Sequence, residues 1–314
     1  MQTHYIWGAP ESSAYPQFLY SRFIDDIESR GWSKNTIQSS RNLVRQFLLF
    51  LEDNGCSTLS MVTPNMVPSF FQHLLATYTP TSIGTVTSHI RSFLKFAEGG
   101  ERLLPVVPSR CARSKPIIPI LSEKERDALK NVLRSRKLPL RDNAIIQLAF
   151  RTGLRSVDIL GMKLSNIDWV NDSISIVQSK TGKAFKLPLT ADVGNPLSNY
   201  ILKERPKTNN PYVFLRSLAP FGPLCGHSVC YAIVRKAFLQ AGIRLGNERK
   251  GIHVLRHSSA SNMLSKGVKV TTISQMLGHS NKSSTDVYLS TDEAHMRECA
   301  LGLADIPMTC GGLR

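Results

Sequence analysis

The sequence predicts a two-domain protein that is mainly α-helical, with one small antiparallel sheet confined to an α+β second domain. Three observations carry this expectation. Apolar residues recur at helical spacing through the first hundred positions; a proline-rich, basic stretch at 103–120 interrupts regular structure; and three short β-rich runs between 167 and 189 are separated by turn-forming dipeptides. At 314 residues the chain is long enough to build two cores. The expected division is a helical domain over 1–102, a linker over 103–120 and a mixed domain over 121–314.

Each element has a local reason. Ser33 offers its hydroxyl to the first unpaired N–H groups of a helix whose Ile37, Val44, Phe47, Leu48 and Leu51 form one stripe, with Lys34, Arg41 and Arg45 lying off it. Residues 64–78 carry a second helix that tolerates Pro68 in its early turns. A third, over 82–97, turns Ile83, Val86, Ile90, Phe93, Leu94 and Ala97 inward and leaves His89, Arg91 and Lys95 elsewhere. In the linker, Pro105, Pro108, Pro116 and Pro119 remove backbone donors and fix φ, so the chain should run extended, with Arg110, Arg113 and Lys115 between them. Ser122 and Glu125 have capping-box spacing and open the second domain. A helix over 143–152 and a short one after Arg155, built on Val157, Ile159 and Leu160, lead into strands at 167–170, 173–177 and 184–189, with Asn171-Asp172 and Thr181-Gly182 as the turns. The remainder reads as mostly helical, ending in a short tail helix over 292–303.

Lys and Arg number 39 against 23 Asp and Glu, so the net charge is +16 at pH 7. Such an excess implies a polyanionic partner, because each phosphate neutralised by a basic side chain releases condensed counterions. Nucleic acid is the first candidate. No apolar run approaches the roughly 18 residues of a membrane span, and the first residues lack a signal-peptide pattern, which argues against a membrane partner and for a cytoplasmic, nucleoid-associated protein. The six cysteines, Cys56, Cys111, Cys225, Cys230, Cys299 and Cys310, form no C-x-x-C pair. Cys225 and Cys230 lack a second pair at zinc-like spacing, so reduced thiols are expected, and neither a metal nor a cofactor.

The chemistry-bearing residues form one ordered series: Arg155 in TGLR, Lys180 in QSKTGK, His253 and Arg256 in HVLRH, His279 in MLGHS and Tyr288 in DVYLS. A phenol attacks a phosphodiester only where its proton is drawn off and the phosphate charge is screened, since an unperturbed tyrosine has a pKa of roughly 10. Two guanidiniums, each able to give paired N–H bonds to nonbridging oxygens, and two imidazoles meet both needs. Gly153 and Leu154 set Arg155 at a helix start, His253 and Arg256 share a helix face, and His279 follows a Leu277-Gly278 helix stop. The departing 5′-oxygen needs a proton, which a lysine with a depressed pKa near clustered arginines can give; Lys180, Lys183 and Lys186 compete for that role. Tyr288 lies in a short polar segment, 283–289, of marginal stability on its own, as suits a nucleophile that must enter and leave position.

The run His253-Val254-Leu255-Arg256-His257-Ser258-Ser259-Ala260, followed by Leu277-Gly278-His279 and then Tyr288, resembles the tyrosine recombinases, or phage integrase family, and the resemblance reaches from residue 120 to about 303. A His, Arg, His and Tyr at such fixed offsets arise by chance on the order of once in a million starting positions. The resemblance implies a C-shaped clamp around duplex DNA, with a helical, SAM-like DNA-binding domain on one face and the catalytic domain on the other. It implies a site-specific recombinase, of the chromosome-resolving Xer type or borne on a transposon or integron-like element. Such enzymes pass through a 3′-phosphotyrosine and a Holliday junction without metal or ATP.

The same resemblance puts Arg155, Lys180, His253, Arg256, His279 and Tyr288 in the catalytic set. Lys180 is assigned because the family's lysine precedes a strand ending in a Pro-Leu pair, here Pro188-Leu189. Asp158 matches an acidic position where Glu is more usual, and is expected to hold Arg155 or the adjacent loop by an ion pair; Ser258 and Ser259 depart from a threonine-rich continuation. Implied partners are duplex DNA with a specific site, further copies of the chain in a homo-tetramer that exchanges C-terminal tails, and a partner recombinase or accessory DNA-bending proteins. Lys34, Arg41, Arg45, Arg91, Lys95 and Lys183 are the candidate DNA contacts.

Two other readings use part of these residues. Residues 263–281 look like a helix-turn-helix, the mark of a DNA-binding regulator without catalysis, which leaves Arg155, Lys180 and Tyr288 unexplained. A type IB topoisomerase-like relaxing enzyme shares the chemistry and is distinguished by acting as a monomer on nonspecific DNA.

Overall fold

Residues 14–108, 118–179, 182 and 184–278 are described by the computed structural model, in two units, Met1–Ser114 and Lys115–Arg314, each with its own core. The first unit packs α1 (Ala14–Ser29), α2 (Lys34–Asp53), α3 (Met66–Leu75) and α4 (Pro80–Phe96) around buried phenylalanines. Ser33 caps α2 by accepting the Thr36 N–H, and Leu43, Val44, Phe47, Leu48 and Leu51 form its buried stripe. Phe23 meets Phe93 edge-on at 5.4 Å, and Phe47 meets Phe70 at 5.0 Å. Burying one such ring stabilises by about 1.5–3 kcal/mol, and an edge-to-face pair adds about 1.

Three sequence expectations change in this unit. His89 is buried, not solvated: it sits at the edge of the α4 stripe, where its Nδ1 lies 2.6 Å from the hydroxyl of the fully buried Ser40 on α2. Burial lowers its pKa, which keeps the imidazole neutral and free to share one proton with Ser40. Arg91 reaches back to donate to the Val107 carbonyl at 2.8 Å. The expected extended linker also begins later, because residues Glu101–Val106 form a 3-10 helix containing Pro105, and Leu103 and Val107 are buried in the core. A short helix of two turns with i to i+3 bonding accommodates proline where a longer α-helix would not.

The second unit opens with the capping box of Ser122 and Glu125 on α5 (Glu123–Arg134). Next come α6 (Leu140–Thr152) and α7 (Ser156–Leu160). Then β1 (Ile167–Asp168), β2 (Ser173–Val177) and β3 (Ala184–Pro188) form an antiparallel sheet in chain order. Four helices complete the unit: α8 (Ala191–Lys203), α9 (His227–Gln240), α10 (Ile252–Ser265) and α11 (Val270–Leu277). Helix α6 is central, packing on α8, α9 and α10. Its start at Leu140 precedes the expected residue 143, because a helix buried nearly all round has no polar stripe to set its phase. Ile159 and Leu160 of α7 are buried but Val157 is exposed, and Val170, expected in the first strand, lies outside it with its side chain 91% exposed. The register pairs Ile174 with both Ile167 and Leu187, which puts a buried apolar residue of each strand on one face, while Val177 lies on the exposed one. Among the described residues, no helix is long and apolar enough to cross a membrane.

Candidate active site

Helix α6 stops at Gly153, whose φ of +68° is a left-handed cap that favours glycine, and a side chain there would also strike Leu277. The reversal buries Leu154 and leaves Arg155 as the extended residue that opens α7. On α10, His253 is exposed and Arg256, one turn on, is 3% exposed. A guanidinium at that depth needs partners, since an unpaired buried charge is far more costly than a hydrogen bond is favourable. It finds them on main-chain carbonyls: Nη1 donates to Gly153 at 2.6 Å and Nη2 to Leu277 at 2.9 Å.

Leu277 and Gly278 end α11, where helix carbonyls have no partner within the helix and carry its partial negative charge. Arg155 Nη2 donates to the Gly278 carbonyl at 3.3 Å. The two arginines, from elements about a hundred residues apart in the chain, therefore meet at one helix end. Arg155 Nη1 is buried and has no hydrogen-bond partner among the described residues. Leaving such a donor unpaired costs about 1–3 kcal/mol, a cost that an anion bound there would remove.

Asp158, 3% exposed on α7, accepts the Ser179 N–H at 2.9 Å. Asp158 thus holds the start of the β2–β3 loop through the main chain; the loop lysines with which an ion pair was expected lie outside the described residues. The loop closes where the Gly182 N–H donates to the Gln178 carbonyl at 2.8 Å, with Gly182 at φ +66°. Lys180 and Lys183 belong to that loop but lie outside the described residues, as do His279, Tyr288, the polar segment 283–289 and the tail helix 292–303.

His257 follows Arg256 and its ring lies 6.2 Å from that of His253. Its pKa falls to about 4, first because it is buried and then because His253, Arg256 and Arg249 add positive potential. It is therefore neutral at neutral pH.

Sequence reading missed Gln178. It is 1% exposed, and its Nε2 donates to the Leu277 carbonyl at 3.0 Å, sharing that acceptor with Arg256. The available signal was strand alternation, which continues β2 inward at 178, where a polar residue is out of place without a bonding duty.

Of the candidate DNA contacts, Lys34 and Lys95 are exposed. Arg41 is half-buried in an ion pair with Glu28 at 2.6 Å, Arg45 is half-buried, and Arg91 is held by Val107.

Residues 119–295 match the phage integrase family, and residues 21–99 match the phage integrase N-terminal SAM-like domain. Among curated relatives, a Sinorhizobium fredii protein named as an integrase/recombinase, y4rA, is 34% identical over 292 residues, which are 90% of this chain and 69% of that protein. The tyrosine recombinase XerA of Pyrococcus furiosus is 28% identical over 285 residues, 89% of this chain and 92% of that one. Among solved structures, the XerH site-specific recombinase bound to palindromic difH substrate in a post-cleavage complex aligns with 92% of this chain and 97% of its own, at a TM-score of 0.72 and 16% identity. A lambda integrase dimer bound to a COC′ core site aligns with 88% and 77%, at a TM-score of 0.69 and 19% identity. At those identities the structural likeness speaks for the fold.

Proposed function

The chain belongs to the phage integrase family, the tyrosine recombinases, and on that footing we propose that it cuts and rejoins duplex DNA at a specific site with Tyr288 as the nucleophile. The observation that carries the reading is the meeting of Arg155 and Arg256 at the end of α11, with a buried Arg155 donor still to be satisfied. The carbonyls hold both guanidiniums in place before any ligand arrives. Donors fixed in advance stabilise the charge of a pentacoordinate phosphorane without reorganising during the reaction.

In the proposed reaction the Tyr288 oxygen attacks phosphorus as its proton passes to His253 or His279. The bond to the 5′-oxygen breaks, and Lys180 gives that oxygen a proton. A 3′-phosphotyrosine and a 5′-hydroxyl result. A 5′-hydroxyl from a partner duplex then attacks the phosphotyrosine and releases the phenol, and a second round resolves the Holliday junction. One phosphodiester is exchanged for another through an ester of similar energy, so no nucleotide need be hydrolysed. The protein would act on duplex DNA in the cytoplasm, at the nucleoid. Four protomers would exchange C-terminal tails, with a partner recombinase or a DNA-bending protein where the site requires one.

In the described part of 263–281, α10 and α11 are joined through Gly267. The second of these helices ends in the arginine cluster, so the turn serves the site. A monomer relaxing nonspecific DNA is separated by the test. With chelator present and no nucleotide, the protein incubated with fragmented DNA should yield covalent adducts whose sequences share one site; adducts spread evenly over sequence would favour the relaxing enzyme.

The amino-terminal basic residues make a separate claim. Log affinity should fall linearly with log salt, by about 0.9 for each phosphate neutralised. The Lys34→Ala, Lys95→Ala double variant should flatten that slope by about 1.8, whereas Arg91→Ala, whose guanidinium is held by Val107, should leave it unchanged. Measuring affinity across a salt series checks both, and an unchanged slope in the double variant returns the lysines to solvent.

A further inference from the structure

We propose that Gln178 is a positioning residue for strand cleavage: its side-chain amide fixes the end of α11 on which the two arginines are set and from which the chain passes into His279. The inference rests on the recombinase reading above. Gln178 directly follows β2 and continues the inward face of Ile174 and Ile176, a place where an aliphatic side chain would be cheaper to bury. What the amide does there is specific. Its Nε2 donates to the Leu277 carbonyl, the same oxygen that takes Arg256 Nη2, one residue before the carbonyl that takes Arg155 Nη2.

The fit is close on the other side too. Gly278 has a φ of +61°, and a Cβ built on it would fall on the Gln178 amide. The space beneath Gly278 is therefore filled by that amide, which leaves no room for a side chain at 278. Through its main chain the same residue closes the β2–β3 loop, where its carbonyl accepts the Gly182 N–H at 2.8 Å. Gln178 thus joins the two segments that lead to Lys180 and His279, with the loop held by the backbone and the α11 end by the side chain. Changing the side chain should disturb the arginines and His279 while leaving the loop closure intact.

A positioning role and a merely structural one differ in what a single turnover reads. A displaced transition-state donor lowers the cleavage rate of every folded molecule, whereas a folding defect lowers the fraction that cleaves at the normal rate. The probe is a nicked suicide duplex carrying the site recovered by sequencing the wild-type covalent adducts, with protein in excess. Gln178→Met keeps the volume and loses the donor; Gln178→Glu keeps the shape and replaces the donor with an oxygen that repels the Leu277 carbonyl and draws on both arginines.

Both variants should bind the duplex with an affinity within about 3-fold of wild type and reach the wild-type extent of cleavage, at a rate lower by about 10- to 100-fold, as for other losses of alignment remote from the reacting bond. The defect should persist on a duplex with a 5′-bridging sulfur, since proton donation to the leaving group is not what has been lost. Wild-type rates in both variants overturn the proposal, as does a loss confined to extent or to binding, or one removed by the sulfur. If wild-type protein forms no tyrosyl adduct, the recombinase reading falls and takes Gln178 with it; if it does and the variants match it, only the role of Gln178 falls.

Discussion

Tyr288→Phe should hold its DNA site as tightly as wild type and form no covalent adduct with it. The substitution removes one oxygen and keeps the ring, so on the proposed mechanism phosphate binding by Arg155 and Arg256 is retained while the atom proposed to bond to phosphorus is lost. Loss of a nucleophile is among the largest single effects in enzymes, on the order of 10⁶ in rate, which places the variant at background. Denaturing gels of a nicked suicide duplex read the adduct directly, and anisotropy reads the binding.

The informative control is Tyr231. It is 42% exposed, and its ring lies 3.4 Å from where a side chain on Gly251 would begin, one residue before α10 and two before His253. Tyr200, by contrast, is 1% exposed and accepts the Leu215 N–H, with burial raising its pKa. Adducts that survive in Tyr288→Phe and vanish in Tyr231→Phe would move the nucleophile to α9.

What could be read from the chain divides by the range of the interaction. Ser33, the Ser122 and Glu125 pair and the glycine stops at 153 and 278 act within one turn of their own helix, so their residue types announce them. The stripes of α2 and α4 follow from one buried side and are legible for the same reason. Helix α6 loses that signal because it is surrounded. His89, Arg91 and Gln178 were beyond reach because their partners lie 49, 16 and 99 residues away, and only the tertiary fold says which polar side chain is to be buried against which carbonyl or hydroxyl. The catalytic set is an intermediate case. Its spacing names Arg155 and Arg256, yet nothing in the spacing says that the same helix end would anchor both, or that Asp158 would accept the Ser179 N–H.

The role of Lys180 is decided by the leaving group. If it supplies the proton to the departing 5′-oxygen, Lys180→Ala should slow cleavage of ordinary DNA by about 10²- to 10⁴-fold, the range general acids contribute. A 5′-bridging sulfur leaves as a thiolate and needs no proton, so the same variant should cleave that substrate at nearly the wild-type rate. Arg155→Ala and Arg256→Ala lose charge stabilisation of the phosphorane, which sulfur does not replace, and should stay impaired on both substrates. The sheet register narrows the competitors. Lys186 pairs with Ser175 on β3, on the exposed face opposite the buried Leu187, so its ammonium is directed away from the inward side that Gln178 occupies. Lys186→Ala should therefore cleave at close to the normal rate. Lys183 is close to Lys180 in the chain and is the remaining competitor. Rescue by sulfur in Lys183→Ala, with none in Lys180→Ala, would move the acid three residues along the loop. Equal defects on both substrates in both variants would mean that neither lysine gives the proton, and would leave a histidine to do so.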